Sequence, residues 1–191
     1  FTMIIVSGAR FSHIVSIFLL LSASFVSLIW VAPYRMKRLL SFLDPYGDPE
    51  GAGWQIIQSY IALAKGNWFG VGLGNSTQKL FFLPHQHNDF IFSIIAEELG
   101  IVGSSVFISL FVCLIYSGFK MIDRAKNLFV RNLMAGIIII TSLQIIINIS
   151  VTVGLLPTKG MPLPFISYGG SSLVFTLVAM GLILALDKKR K

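Results

Sequence analysis

His85, His87 and Asp89 alternate along LPHQHNDFIF, residues 83–92, at the point where a polar stretch gives way to an apolar run. A carboxylate there has two uses. As the N-cap of the following helix it satisfies orphan N–H groups and suits the helix dipole; facing water, it is free to take part in catalysis. Spacing alone leaves both open. In an extended chain the three side chains also fit one face of a divalent cation, but no fourth ligand lies nearby, and solvated or hydrogen-bonding histidines are the simpler expectation.

Further polar groups sit inside apolar surroundings. Glu97 and Glu98 fall about two turns into the run that follows Asp89, where an ionisable group exposed to lipid costs at least about 2.5 kcal/mol. They are expected to face protein or a cavity. Successive residues diverge by about 100° on a helix, so Glu97 lies nearer the Asp89 face, either as a structural hydrogen-bonding group or with a direct role. Thr141, Gln144, Asn148 and Thr152 form one helical stripe in an Ile-rich stretch, suited to interhelical hydrogen bonds or to lining a substrate cavity. In LLPTKGMPLPFISYGGSS, residues 155–172, Lys159 lies among three prolines and several glycines. Irregular backbone at membrane depth survives only when buried in protein or lining a wet cavity. Lys159 can hold a phosphate there as a point charge, or contact a lipid headgroup.

The elements positioning these groups are membrane spans. Of 191 residues 55% are apolar and 12% charged, and the mean hydropathy is +0.82, far from a soluble domain. Residues 12–31, 90–118, 133–153 and 164–186 are each apolar over about the 20 residues a helix needs to cross a hydrocarbon core. Lipid offers the backbone no partners, so an all-α polytopic transmembrane helical bundle follows. Arg10, the cluster Lys120, Arg124, Lys126 and Arg131, and the terminal run from Lys188 all fall on one side, which is the cytoplasm by the positive-inside rule. This puts residues 32–89 and 154–163 on the outer face and the C-terminus inside. It also accounts for the net charge of +7 without nucleic acid as a partner. The lone Cys113 excludes an intrachain disulfide. The chain opens at Phe1 in what reads as the tail of an apolar run, with no signal peptide pattern, so a larger protein with upstream spans is expected.

The outer loop, about 32–89, is too long for a simple connector. Trp54, Ile57, Tyr60, Ile61 and Ala64 recur at helical spacing and stop at Gly66, predicting an amphipathic helix lying on the membrane or packed on the bundle. Gly70, Gly72 and Gly74 in GVGLGNS allow close approach of backbone to a ligand or another helix. Without a preceding strand the pattern is weak evidence for nucleotide binding.

Together these stretches resemble the SEDS family of shape, elongation, division and sporulation proteins. The resemblance is carried by YRMKRLLSFLDP from Tyr34, GWQIIQSYIALAKGNWFGVGLGNSTQKL from Gly53, HNDFIFSIIAEELG from His87 and PTKGMPLPFISYGGSS from Pro157. The PTKG and GNSxQKL forms look more like the cell-division branch than the elongation branch. The resemblance implies ten transmembrane helices, of which this chain would hold about the last four. It also implies an inner-membrane peptidoglycan glycosyltransferase that polymerises lipid II on the outer face during division. A class B penicillin-binding protein transpeptidase and other division machinery would be its partners. The aspartate of the family's HxDF motif, required for activity, falls on Asp89. The family's usual Pro-Glu is Pro84-His85 here, and its frequent Thr is Asn88, so any help from that glutamate does not transfer. Asp89 would act as general base; His87, Glu97, Gln144, Asn148 and Lys159 are candidates for substrate contact. Arg35, Lys37, Arg38 and Lys79, anchors at the interface or phosphate ligands, stand ready for the leaving pyrophosphate, with Mg²⁺ or Mn²⁺ as a candidate cofactor. A lipid II flippase and a non-catalytic division scaffold are the alternatives, the first favoured by intramembrane Glu97, Glu98, Gln144 and Asn148.

Overall fold

The computed structural model describes residues 11–31, 33–51, 53–78 and 89–188. Among these there are six α-helices and no strand: α1 (Phe11–Val31), α2 (Pro33–Leu43), α3 (Trp54–Gly66), α4 (Ile91–Asp123), α5 (Leu128–Thr152) and α6 (Gly170–Lys188), with a 3-10 turn at Pro45–Gly47. Three of them, α4, α5 and α6, are long and apolar enough to cross a membrane, and α1 carries a shorter apolar stretch, Ser12–Ser24. The chain is a polytopic helical protein.

Two expected spans are longer than the sequence suggested. Helix α4 runs on to Asp123, and α5 starts at Leu128, where the Asn127 side chain accepts from Phe129 N at 2.9 Å and caps it. Of the basic cluster, Arg124 and Lys126 fall in a tight turn, with Lys120 in the last turn of α4 and Arg131 in the first turns of α5. The last span is shorter: it begins at Gly170, not near residue 164. Pro157, Pro162 and Pro164 lack N–H groups, and Phe165 sits at φ 70, a conformation no helix uses.

At one end of the bundle Ile122, Met134, Ala135, Ile138 and Ile183 join α4, α5 and α6. Nearer the other end Phe92, Phe111 and Ile145 close over Leu163 of the irregular segment, with Phe107 edge-on to Phe111 at 5.1 Å. This second cluster anchors residues 154–169 against α4 and α5.

Helix α3 matches its predicted bounds and packs on the bundle, but by a different face. Ile56, Ser59, Ala62 and Gly66 are buried, while Ile61 and Ala64 of the expected apolar stripe are exposed. Between membrane helices, small residues that let backbones approach make the interface, so the bulkier apolar residues turn outward. Ser59 Oγ lies 2.5 Å from Ser93 Oγ of α4 and 2.6 Å from Thr152 O of α5, keying α3 to both.

Helix α4 is broken. Gly100 sits at φ 67, ψ −168, and two rungs of the helical ladder are replaced by bonds to the glycine loop after α3. Ile101 N donates to Asn67 O (2.9 Å) and Val102 N to Trp68 O (3.1 Å), while Glu97 O and Glu98 O accept from Val71 N (3.0 Å) and Gly72 N (3.1 Å). The close approach predicted for the glycines is therefore to another helix. At Gly70, φ 78, a Cβ would run into the Glu98 carbonyl. The exchange gives four of the main-chain groups freed by the break, Glu97 O, Glu98 O, Ile101 N and Val102 N, new partners, as a low-dielectric setting demands.

Candidate functional site

Asp89 is half-buried just before α4, whose N-cap is Phe90 rather than Asp89. The N-cap position thus falls one residue past the carboxylate, on a side chain that makes no capping bond. A Cβ built on Gly160 would stand 3.6 Å from Asp89 Oδ2, so the carboxylate faces the irregular segment at a position without a side chain. The next residue back is Lys159.

Helix α5 joins these two pieces of chain. Asn148, 2% exposed, uses its amide nitrogen twice, donating to Asp89 O at 3.0 Å and to Met161 O at 2.7 Å. One turn away, Gln144 Nε2 donates to Pro162 O at 2.9 Å. The other two members of the polar stripe bond their own helix: Thr141 Oγ1 to Ile137 O, Thr152 Oγ1 to Ile149 O. The stripe neither bridges helices nor faces an open cavity with its donors; it holds a loop. Within that loop the Ser167 hydroxyl accepts from Leu163 N at 2.7 Å, closing the turn that contains Phe165.

Beside Lys159 opens a cavity of about 360 Å³, walled by Leu28, Leu39 and Pro157 and carrying Arg35 and Arg38 with Lys159. Arg35 is held by Tyr34, whose hydroxyl accepts from Nε at 3.0 Å, and by Leu28 O at 3.2 Å from NH1. Cations on an apolar wall suit an amphiphile with an anionic group, because the wall weakens solvent competition for the charge. Lys37 lies on a different cavity, with Asp44 and Asp48.

Glu97 is fully buried and committed elsewhere. Its carboxylate accepts from Ser76 Oγ, from Thr77 N (3.2 Å) and Oγ1 (2.9 Å), and from Gln78 N (3.4 Å). Thr77 Oγ1 in turn accepts from Lys65 Nζ at 2.7 Å, bringing a cation within one hydroxyl of the buried charge. Glu97 thereby fixes the chain that leads toward Asp89. It faces protein as expected, but with its oxygens occupied by the loop rather than turned toward a substrate. Glu98 is half-buried, with Oε1 making no hydrogen bond among the described residues.

The candidates therefore divide. Asp89, Lys159, Arg38, Gln144 and Asn148 gather at one end of the bundle, Glu97 stands behind them, and Lys79, His85 and His87 lie outside the described residues. Ser76, Thr77, Lys65 and Met161 were not singled out. Ser76 and Thr77 are ordinary loop residues by type, and Met161 acts through its main chain. Among the described residues no three metal-ligating side chains converge.

A family model described as a cell cycle protein, covering FtsW, RodA and SpoVE, matches residues 1–191. The chain belongs to the SEDS family. As an FtsW-like SEDS chain it is 48% identical over 97% of its length to a "Probable peptidoglycan glycosyltransferase FtsW" of Nitrosococcus halophilus, 49% of which it covers. It is 46% identical over 97% of its length to the stage V sporulation protein E of Bacillus subtilis, covering 51% of that protein. This SEDS chain spans about half the length of the curated relatives it matches. A solved structure described as "Structural coordination of polymerization and crosslinking by a peptidoglycan synthase complex" superposes with a TM-score of 0.76 at 29% identity, over 98% of this chain and 52% of that one. A mutant of the Thermus thermophilus rod shape determining protein RodA superposes with a TM-score of 0.53 at 35% identity, over 55% of this chain and 35% of that one.

Proposed function

We propose that the SEDS chain carries part of the active site of a peptidoglycan glycosyltransferase that polymerises lipid II during cell division. The observation that supports it is the pairing of a carboxylate with a cationic cavity across two adjacent residues. Asp89 faces Gly160, and Lys159 shares its cavity with Arg35 and Arg38. The positive-inside rule supports an outer-face position for this end of the bundle, with the basic turn around Lys126 and the C-terminus in the cytoplasm. A class B penicillin-binding protein transpeptidase and other division proteins are the proposed partners.

In this reading Asp89 takes the proton from the sugar 4-hydroxyl of one saccharide. The oxygen forms a bond to the anomeric carbon of another. The bond from that carbon to the pyrophosphate oxygen breaks, and the lipid pyrophosphate leaves with the electron pair. Lys159, Arg35 and Arg38 stabilise the charge that accumulates there, and the apolar wall takes the lipid side of the leaving group.

The test is polymerisation of lipid II in detergent by the intact protein with its transpeptidase. Wild type is expected to make polymer and Asp89→Asn to lose about 10²- to 10⁴-fold, the usual worth of a positioned base. Undiminished polymer from Asp89→Asn would overturn the general-base role. The helix break at Gly100 also suits a lipid II flippase, since transporters use broken helices. Detergent separates the two, because polymer forms without two compartments and flipping does not.

A further inference from the structure

We propose that Asn148 is a positioning residue for the reaction, holding Asp89 and the Lys159 segment at one fixed separation. The proposal rests on Asp89 being the base.

Asn148 is a side chain whose two donor hydrogens end on two different stretches of main chain. One goes to the carbonyl of Asp89 at 3.0 Å, the other to the carbonyl of Met161, two residues past Lys159, at 2.7 Å. Two facing carbonyls repel each other and need two donors between them without a charge. A short amide meets that requirement from one atom; aspartate offers acceptors only, and serine a single donor. The position is 2% exposed, so water is a poor replacement.

The geometry gives the link a catalytic meaning. Gly160 lies within the clamped stretch, and its Cα side faces Asp89 Oδ2. Bridging Asp89 to Met161 therefore sets the gap between the carboxylate and the backbone that bears Lys159, the groups proposed to act on the attacking hydroxyl and on the leaving pyrophosphate. A misplacement of about 1 Å in such an arrangement costs on the order of 10²-fold in rate. Asn148 makes these bonds with backbone atoms, so its influence runs through Asp89 rather than through substrate.

The experiment is lipid II polymerisation by the intact protein with its transpeptidase, read as kcat and KM, with thermal unfolding followed in parallel. The variants are Asn148→Ala, Ile138→Ala, Asp89→Asn and the double variant Asn148→Ala with Asp89→Asn. Ile138 lies on the same helix, is buried at the other end of the bundle with Ile122, Met134 and Ile183, and does not touch the cluster that anchors residues 154–169, so Ile138→Ala is the structural control. Asn148→Ala is expected to lose about 10²-fold in kcat with KM within about twofold, far more than Ile138→Ala at an equal fall in thermal midpoint. In the Asp89→Asn background it should add little, as two parts of one unit do. A loss that appears in KM, that matches Ile138→Ala, or that multiplies fully with Asp89→Asn overturns the positioning role. If Asn148→Ala does not accumulate, Asn148→Ser, which keeps one donor, is read the same way. Full activity of Asp89→Asn alone is the separate outcome that sinks the base assignment itself.

Discussion

Two irregular stretches pack on the bundle, and they are held in place by opposite means. The glycine loop after α3 is tied to α4 by main-chain groups on both sides, at Asn67, Trp68, Val71 and Gly72. The proline segment before α6 is tied to α5 by two amide side chains, Gln144 and Asn148. Main-chain ties ignore side-chain identity and fail only when a Cβ intrudes. Side-chain ties can be removed one at a time. The first region is thus built as scaffold, and the second, which carries Lys159, is built to be set in position.

The largest effect should come from the scaffold. Gly70→Ala forces a side chain into positive φ and into the Glu98 carbonyl, at a combined cost of about 3–5 kcal/mol. The thermal midpoint of the intact protein should fall steeply, and an unchanged midpoint would erase the contrast between the two regions. Next is Glu97→Ala, which strands the donors of Ser76, Thr77 and Gln78 at about 1–3 kcal/mol. Hydrogen exchange at the Thr77 and Gln78 amides should rise in response. Gln144→Leu removes one neutral bond to Pro162 O and should cost about 1 kcal/mol in thermal unfolding. Smallest in stability is Gly160→Ala. Its φ lies outside the positive range and its methyl meets Asp89 Oδ2 at 3.6 Å, an ordinary contact. The fold should be unaffected while polymerisation drops on the order of tenfold through crowding of the carboxylate. A fall in stability without a fall in rate would reverse the assignment of site and scaffold.

Much of this was legible in the sequence because hydropathy and helix period report directly on membrane helices. The helical class, the extent of α3 and the close approach of the glycines followed from residue type and spacing, whereas the grouping of Asp89, Gln144, Asn148 and Lys159 into one site came only from what the family resemblance implied. The buried face of α3 did not, because periodicity finds the apolar stripe and not the small-residue stripe that membrane packing selects. The break at Gly100 was hidden for a related reason. Glycine is common within membrane helices, and only the partner loop decides whether one bends or breaks. Glu97 was rightly turned toward protein, but Ser76 and Thr77 carry no periodic signal. The start of α6 moved because prolines forbid a helix without saying how far the interruption extends.

The exchange of rungs at Gly100 also separates two jobs that one continuous helix would combine. The piece of α4 beyond the glycine answers to the thickness of the bilayer, whereas residues 91–99 answer to α3 and its loop. Changes in length or tilt of the span can thus accumulate without carrying residues 91–99 along, and the aim of those residues can be altered by the loop alone. The joint is riveted rather than loose, which lets a membrane anchor and a tool holder share one stretch of chain.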